Sequence, residues 1–125
     1  MRWVLVGLLV LACPQAHAEF YTGHQLHGLC RTDMNLVRGY VAGVHDKASR
    51  DSDAAAFFIA ASKVPKNPAL EALLPTIMNY CASDIAIGQL ADVVCRSLDK
   101  DPGERHRPAA TLIVDALAAE FPCRK

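Results

Sequence analysis

Cysteine is the residue type in this chain whose number and placement speak most directly of chemistry: Cys13, Cys30, Cys81, Cys95 and Cys123. Cys13 falls inside an apolar N-terminal stretch that reads as an export signal. Its removal leaves an even number, and in an oxidising compartment that reads as two disulfides. Cys81 lies about twenty residues before Pro102-Gly103, and Cys123 about twenty after it. If the flanking segments form an antiparallel helical hairpin turned at that Pro-Gly, equal offsets bring the two cysteines to one level. A disulfide needs its Cα atoms roughly 5.5 Å apart. A Cys95–Cys123 bond would be offset by more than about ten residues, on the order of 15–20 Å at 1.5 Å of rise per residue. Cys81–Cys123 is therefore expected, and Cys30–Cys95 by exclusion. On a chain-entropy argument each cross-link contributes roughly 4 kcal/mol, an upper figure that native strain lowers.

Other chemistry is sparse. His24, His27 and Cys30 stand three apart on a predicted helix and could present metal ligands. No carboxylate is near them and Cys30 is wanted for a disulfide, so surface histidines are the better reading. No Gly-x-Ser-x-Gly, His-Glu-x-x-His, P-loop or dinucleotide fingerprint occurs, and Ser, His and Asp are scattered without a pattern. No catalytic, metal or cofactor residue is assigned, and no cofactor is expected. The run Asp99-Lys100-Asp101-Pro102-Gly103-Glu104-Arg105-His106-Arg107 mixes both signs of charge. Its plain reading is a solvated turn. Its functional reading is a partner-contact loop in which Asp99, Lys100, Asp101, Glu104 and Arg105 make the contacts. A second candidate is Ser62-Lys63-Val64-Pro65-Lys66-Asn67-Pro68, stiffened by two prolines that lower the ordering cost of binding.

The elements that must hold these residues are helical. Ile87, Leu90, Ala91, Val94 and Leu98 recur every three or four positions, with Ser83 or Asp84 placed to cap the first turn. Pro102-Gly103 stops that helix. Pro108 suits the first turn of the next, whose stripe is Ala110, Ile113, Val114, Leu117 and Phe121. Upstream, Leu26, Leu29, Cys30, Val37, Tyr40, Val41 and Val44 share a broad face over residues 22–50. Thr32-Asp33 could cap a new helix after a break near Arg31. Gly39 and Gly43, one turn apart, each cost up to about 1 kcal/mol in a helix interior, which suggests either that another helix approaches closely there or that the glycines are simply tolerated. Asp51-Ser52-Asp53 opens a third helix through Ala61. Asn67-Pro68 starts a fourth, to Tyr80, with Pro75 kinking or dividing it. No alternating strand pattern or internal repeat appears. The expected class is all-α, a small disulfide-bonded bundle of four to five helices with a C-terminal antiparallel hairpin.

Met1-Arg2 is a minimal positive region, Trp3 to Ala12 is apolar, and Ala16-His17-Ala18 before Glu19 has the small-x-small form that signal peptidase accepts. Residues 1–18 are thus expected to be a signal peptide and 19–125 a single domain. The run is too short to span a bilayer, which takes about 20 residues. A rival cleavage with lipidation at Cys13 follows from Val10-Leu11-Ala12-Cys13. Either way the chain is exported, and a periplasmic location is expected. Thirteen Lys and Arg balance thirteen Asp and Glu, so nothing points to nucleic acid or an anionic membrane as partner.

Gly39-Tyr40-Val41-Ala42-Gly43-Val44-His45-Asp46, then Cys81, then Gln89-Leu90-Ala91-Asp92-Val93-Val94, Leu98 and Pro102 form an ordered pattern. It continues through Arg107-Pro108-Ala109-Ala110 and Ala116-Leu117 to Phe121-Pro122-Cys123. The whole resembles the Rap/Tai family of periplasmic immunity proteins, which neutralise cell-wall amidase effectors of type VI secretion. The resemblance covers most of residues 19–125. It implies a small, exported, helical protein, often a homodimer, whose partner is a cognate peptidoglycan amidase effector and which acts by stoichiometric binding without turnover. A different class, a small periplasmic acid-stress chaperone, would use histidines as titrating groups. A small hydrolase is the weakest reading, for want of an organised nucleophile.

Overall fold

The protein is described here by a computed structural model covering residues 20–61 and 80–123. The expected export segment at 1–18 with Cys13, the 62–68 connection and the expected helix from Asn67-Pro68 through Pro75 lie outside the described residues. Within them are four α-helices: α1 (Gly23–Thr32), α2 (Met34–Ala61), α3 (Ile87–Lys100) and α4 (Ala109–Glu120). A 3-10 turn, Pro102–His106, joins the last two. The class is all-α, and α3 and α4 form the expected C-terminal hairpin.

Local chemistry explains most of the boundaries. Thr22 and Gln25 form a capping box at the start of α1: Thr22 Oγ1 accepts from Gln25 N at 3.3 Å, and Gln25 Oε1 accepts from Thr22 N at 2.9 Å. Two of the helix's orphan donors are thereby satisfied. The expected break falls at Asp33, two residues past Arg31, and the Asp33 carboxylate caps the new helix, accepting from Leu36 N at 3.0 Å to start α2. The expected new helix at Asp51-Ser52-Asp53 does not form; α2 runs unbroken through it to Ala61. Asp51 is engaged instead by Lys47 one turn earlier, and Ser52 Oγ bonds back to Ala48 O at 3.0 Å. With no Gly or Pro there, nothing interrupts the ladder.

The start of α3 also departs from expectation. Neither Ser83 nor Asp84 caps it. The helix begins at Ile87 behind Ala86, which offers no side-chain cap, because residues 82–85 turn first, with Ile85 N donating to Ala82 O at 3.2 Å. Ile87 is accordingly exposed, while Leu90, Ala91, Val94 and Leu98 are buried. On α4 the buried stripe is Ala109, Ile113, Ala116 and Leu117, shifted slightly from the expected one, with Ala110 and Val114 on its flank.

One core unites the four helices. Leu26, Val37, Val41, Leu90, Val94, Ile113 and Leu117 are its largest fully buried side chains. Each contributes on the order of 2 kcal/mol by leaving water. The sulfurs close it at two levels. Cys30–Cys95, with Cα atoms 5.9 Å apart, ties α1 to α3. Cys81–Cys123, at 4.9 Å, clasps the open end of the hairpin, helped by Cys81 N donating to Phe121 O at 2.9 Å.

Gly23 fixes where α1 sits. An added Cβ would stand 2.4 Å from Leu112 Cδ1 and 2.8 Å from both Arg105 Cα and Arg105 O. Main-chain bonds lock the same contact, Gly23 N to Arg107 O and Ala109 N to Tyr21 O, each 2.9 Å. Gly23→Ala must push backbone against backbone. We expect it to destabilise the fold by about 2 kcal/mol, read in thermal unfolding as a fall of roughly 8–10 °C in Tm. An unchanged Tm would show that the contact is slack.

Candidate functional site

The turn between α3 and α4 is the most heavily braced polar element among the described residues. Arg105 Nε donates to Leu98 O at 2.6 Å and Arg105 Nη2 to Asp99 O at 3.4 Å. The guanidinium thus occupies the C-terminal carbonyls of α3, where a cation also meets the negative end of the helix dipole. His106 Nδ1 donates to Gly103 O at 2.7 Å. Arg107 bridges Glu104 at 3.0 Å and Asp115 of α4 at 2.8 Å. Hydrogen bonds from Asp115 and then Glu104 raise the Arg107 guanidinium above its usual range and hold it charged.

From the other side, His27 of α1 donates through Nε2 to Asp99 Oδ1 at 2.7 Å, with Arg31 at 3.6 Å from the same oxygen. The hydrogen bond from His27, with the positive charge of Arg31 adding to it, holds the Asp99 carboxyl below its usual range.

The five expected contact residues therefore divide. Lys100 and Asp101 are exposed and have no side-chain partner among the described residues. Glu104 is exposed but paired to Arg107. Asp99 is exposed yet committed to His27 and Arg31. Arg105 is half-buried and its guanidinium is engaged by the carbonyls of Leu98 and Asp99. The sequence shows a charged residue in a polar run but not that two carbonyls at the end of α3 take a donor from it. His27 is joined to Asp99 and Cys30 to Cys95, so the histidine–cysteine trio is divided between a hydrogen bond and a cross-link. No group of three or more His, Cys, Asp or Glu among the described residues is placed to hold a metal.

Beneath the turn lies a groove of about 380 Å³ between α3 and α4. Its floor is apolar, with Val93, Leu112, Ala116 and Ala119, and its rim carries Arg96, Lys100, Asp101, Glu104, Asp115 and Glu120. The rim residues Arg96, Asp115 and Glu120 escape a reading of the turn alone. Their signal is helical spacing, since Arg96 precedes Lys100 by one turn. Such a surface can meet a polar, two-signed cleft wall while an apolar ridge enters the groove.

Because Asp99 titrates below the ordinary carboxylate range, its pairing is complete above that range and is lost as pH falls through the depressed value. Replacing His27 with alanine should bring the Asp99 titration back up, followed by carboxyl-carbon NMR. An unmoved titration would remove His27 as the cause.

The family model of Rap1a immunity proteins matches residues 22–123. No curated protein and no solved structure shows significant similarity to the chain. The matched stretch runs from the Thr22 cap to the cysteine that clasps the hairpin, taking in the braced turn and both disulfides, and the chain belongs to the Rap1a immunity protein family.

Proposed function

We propose that this protein is a periplasmic immunity protein that binds a type VI secreted cell-wall amidase and blocks its cleft by occupancy, with no turnover of its own. The family match over residues 22–123 carries this reading. Two cross-links suit an oxidising compartment. The 99–107 turn supplies the kind of element that occlusion needs. It protrudes from the hairpin, its conformation is held by Arg105, His106, Arg107 and Asp99, and its ordering cost is met before any partner arrives. Lys100 and Asp101 are left over to make the contacts, with Glu104 beside them.

The test is binding and inhibition against the amidase-type effector encoded beside this gene. Lys100→Ala with Asp101→Ala should weaken inhibition roughly tenfold to a hundredfold, while helicity and Tm stay nearly unchanged. Arg105→Ala should instead lower Tm, because the α3 carbonyls lose their donor. Full affinity in the Lys100/Asp101 double variant, with loss on altering 62–68, would move the contact to that segment. No binding to any neighbouring effector, with suppression of client aggregation at acid pH, would replace immunity by chaperone action.

A further inference from the structure

Two hollows border α2. One is an apolar groove of about 890 Å³ beside Gly39 and Gly43. A Cβ at either glycine would meet nothing within 4 Å, so the close approach of another helix does not occur there among the described residues. The other hollow is smaller, about 400 Å³. His45, Ser49, Ser52 and Asp53 of α2 line one side of it, and residues 80–83 with Cys123 line the other. The Cys81–Cys123 disulfide is thus part of its wall.

The two cross-links are held differently. Cys95 belongs to the buried core at 9% exposure, and Cys30 packs against that core. Reaching their bond asks α1 to lift from α3. Cys81 is exposed and Cys123 half-buried, and neither is part of the core. Access decides exchange, because the attacking thiolate must meet a disulfide sulfur directly. Opening this clasp also leaves its surroundings in place. Tyr80 shares a hydrogen bond of 3.1 Å with His45 Nδ1, and the two rings lie 5.6 Å apart. Ala82 is buried, and Cys81 N donates to Phe121 O at 2.9 Å. Neither residue depends on the sulfur bond alone for its position. In the sequence Cys123 is followed by Arg124 and Lys125, cations that favour a thiolate at Cys123 and make it the better leaving group.

We propose that Cys81–Cys123 is an exchange site for a small thiol, opened and closed without unfolding, while Cys30–Cys95 is a fixed structural bond. The incoming thiolate attacks Cys81 Sγ from the hollow. A new sulfur–sulfur bond forms there as the old one breaks, and Cys123 leaves with the electron pair and takes a proton from water. One disulfide is exchanged for another, so no external oxidant or reductant is consumed. The Cα atoms start 4.9 Å apart and stay anchored. Cys123 can therefore attack the mixed disulfide in turn, expel the small thiol and close the clasp. The 99–107 turn lies at the opposite end of the hairpin, so the site holds whether or not the protein is an inhibitor.

The test treats the purified protein, both disulfides formed, with cysteamine near the ordinary thiol pKa. N-ethylmaleimide quenches the reaction and peptide mapping reads it. Cys81–Cys123 should open roughly tenfold or more faster than Cys30–Cys95, with cysteamine on Cys81 and the maleimide on Cys123. Circular dichroism should stay as in the untreated protein. In concentrated guanidinium chloride the two bonds should open at similar rates, since the fold no longer shelters either. Replacing both Cys81 and Cys123 with serine should keep helicity and abolish the fast phase. Equal rates in the folded protein overturn the proposal, as do earlier opening of Cys30–Cys95 and loss of helicity on exchange. A preference that persists in denaturant, a fast phase that survives the double substitution, or an adduct confined to Cys123 also overturns it.

Discussion

Where α1 begins, its backbone lies against that of the 101–108 turn with no room for a side chain, and the register of α1 along α3 follows from that seat. Gly23 is pinned at Arg105 and Arg107. One helical turn later His27 reaches Asp99, and nearly one more brings Cys30 to Cys95. Leu26, between these contacts, is fully buried. A single face of α1 thus walks down α3 from its C-terminus, using a close backbone approach, a hydrogen bond and a disulfide in succession. Any residue with a Cβ at position 23 would lift the first of these and misalign the other two. The core depends on the same seat, because Leu26 joins the buried cluster that holds Ile113 and Leu117 only while α1 lies on the hairpin.

Some of this was legible in the sequence. The apolar period of α3 located Leu90, Ala91, Val94 and Leu98, and Pro102-Gly103 located the turn. The equal-offset argument for Cys81 and Cys123 assumed helix on both sides, yet residues 81–86 are not helical. The hairpin brings the pair together regardless, because the chain turns over residues 82–85 and Cys81 N donates to Phe121 O. Asp51-Ser52-Asp53 shows the opposite outcome. A capping sequence and an i,i+4 ion pair use the same carboxylate, and Lys47, one turn earlier, decides between them. The two glycines on α2 were misjudged, and the inward bonds of Arg105 went unseen, for one shared reason. Periodicity reports which residues leave water, but not whether an arginine folds back onto carbonyls or whether a small residue faces its own chain or open space.

The turn owes its shape to how its polar groups are spent. Arg105 serves the end of α3, His106 closes on Gly103, Arg107 spans to α4, and Asp99 answers α1. Each bond is exposed or half-exposed and individually worth little. Their common effect is to leave a short segment with few alternative conformations. Lys100 and Asp101 acquire significance by elimination, since they alone of the expected contacts are charged, exposed and without a side-chain partner among the described residues. A segment whose inward bonds are already made presents its remaining charges at low entropic cost.

Helix α4 keeps the two exposed grooves apart. Ile113 and Leu117 face the core; Leu112, Ala116 and Ala119 line the groove under the turn, and Ala110 and Val114 line the other flank beside Gly39 and Gly43. Twelve residues suffice because a helix presents three such stripes at 3.6 residues per turn. Asp115 is common to both grooves, and it is the residue that Arg107 grips. Occupation of one flank can therefore be felt at the other only through that ion pair or through movement of α4 against the core. A helix held by a buried stripe, the Ala109 N to Tyr21 O bond at its start and the Cys81–Cys123 clasp at its end has little freedom to move. The two surfaces should act as separable units on one rigid support.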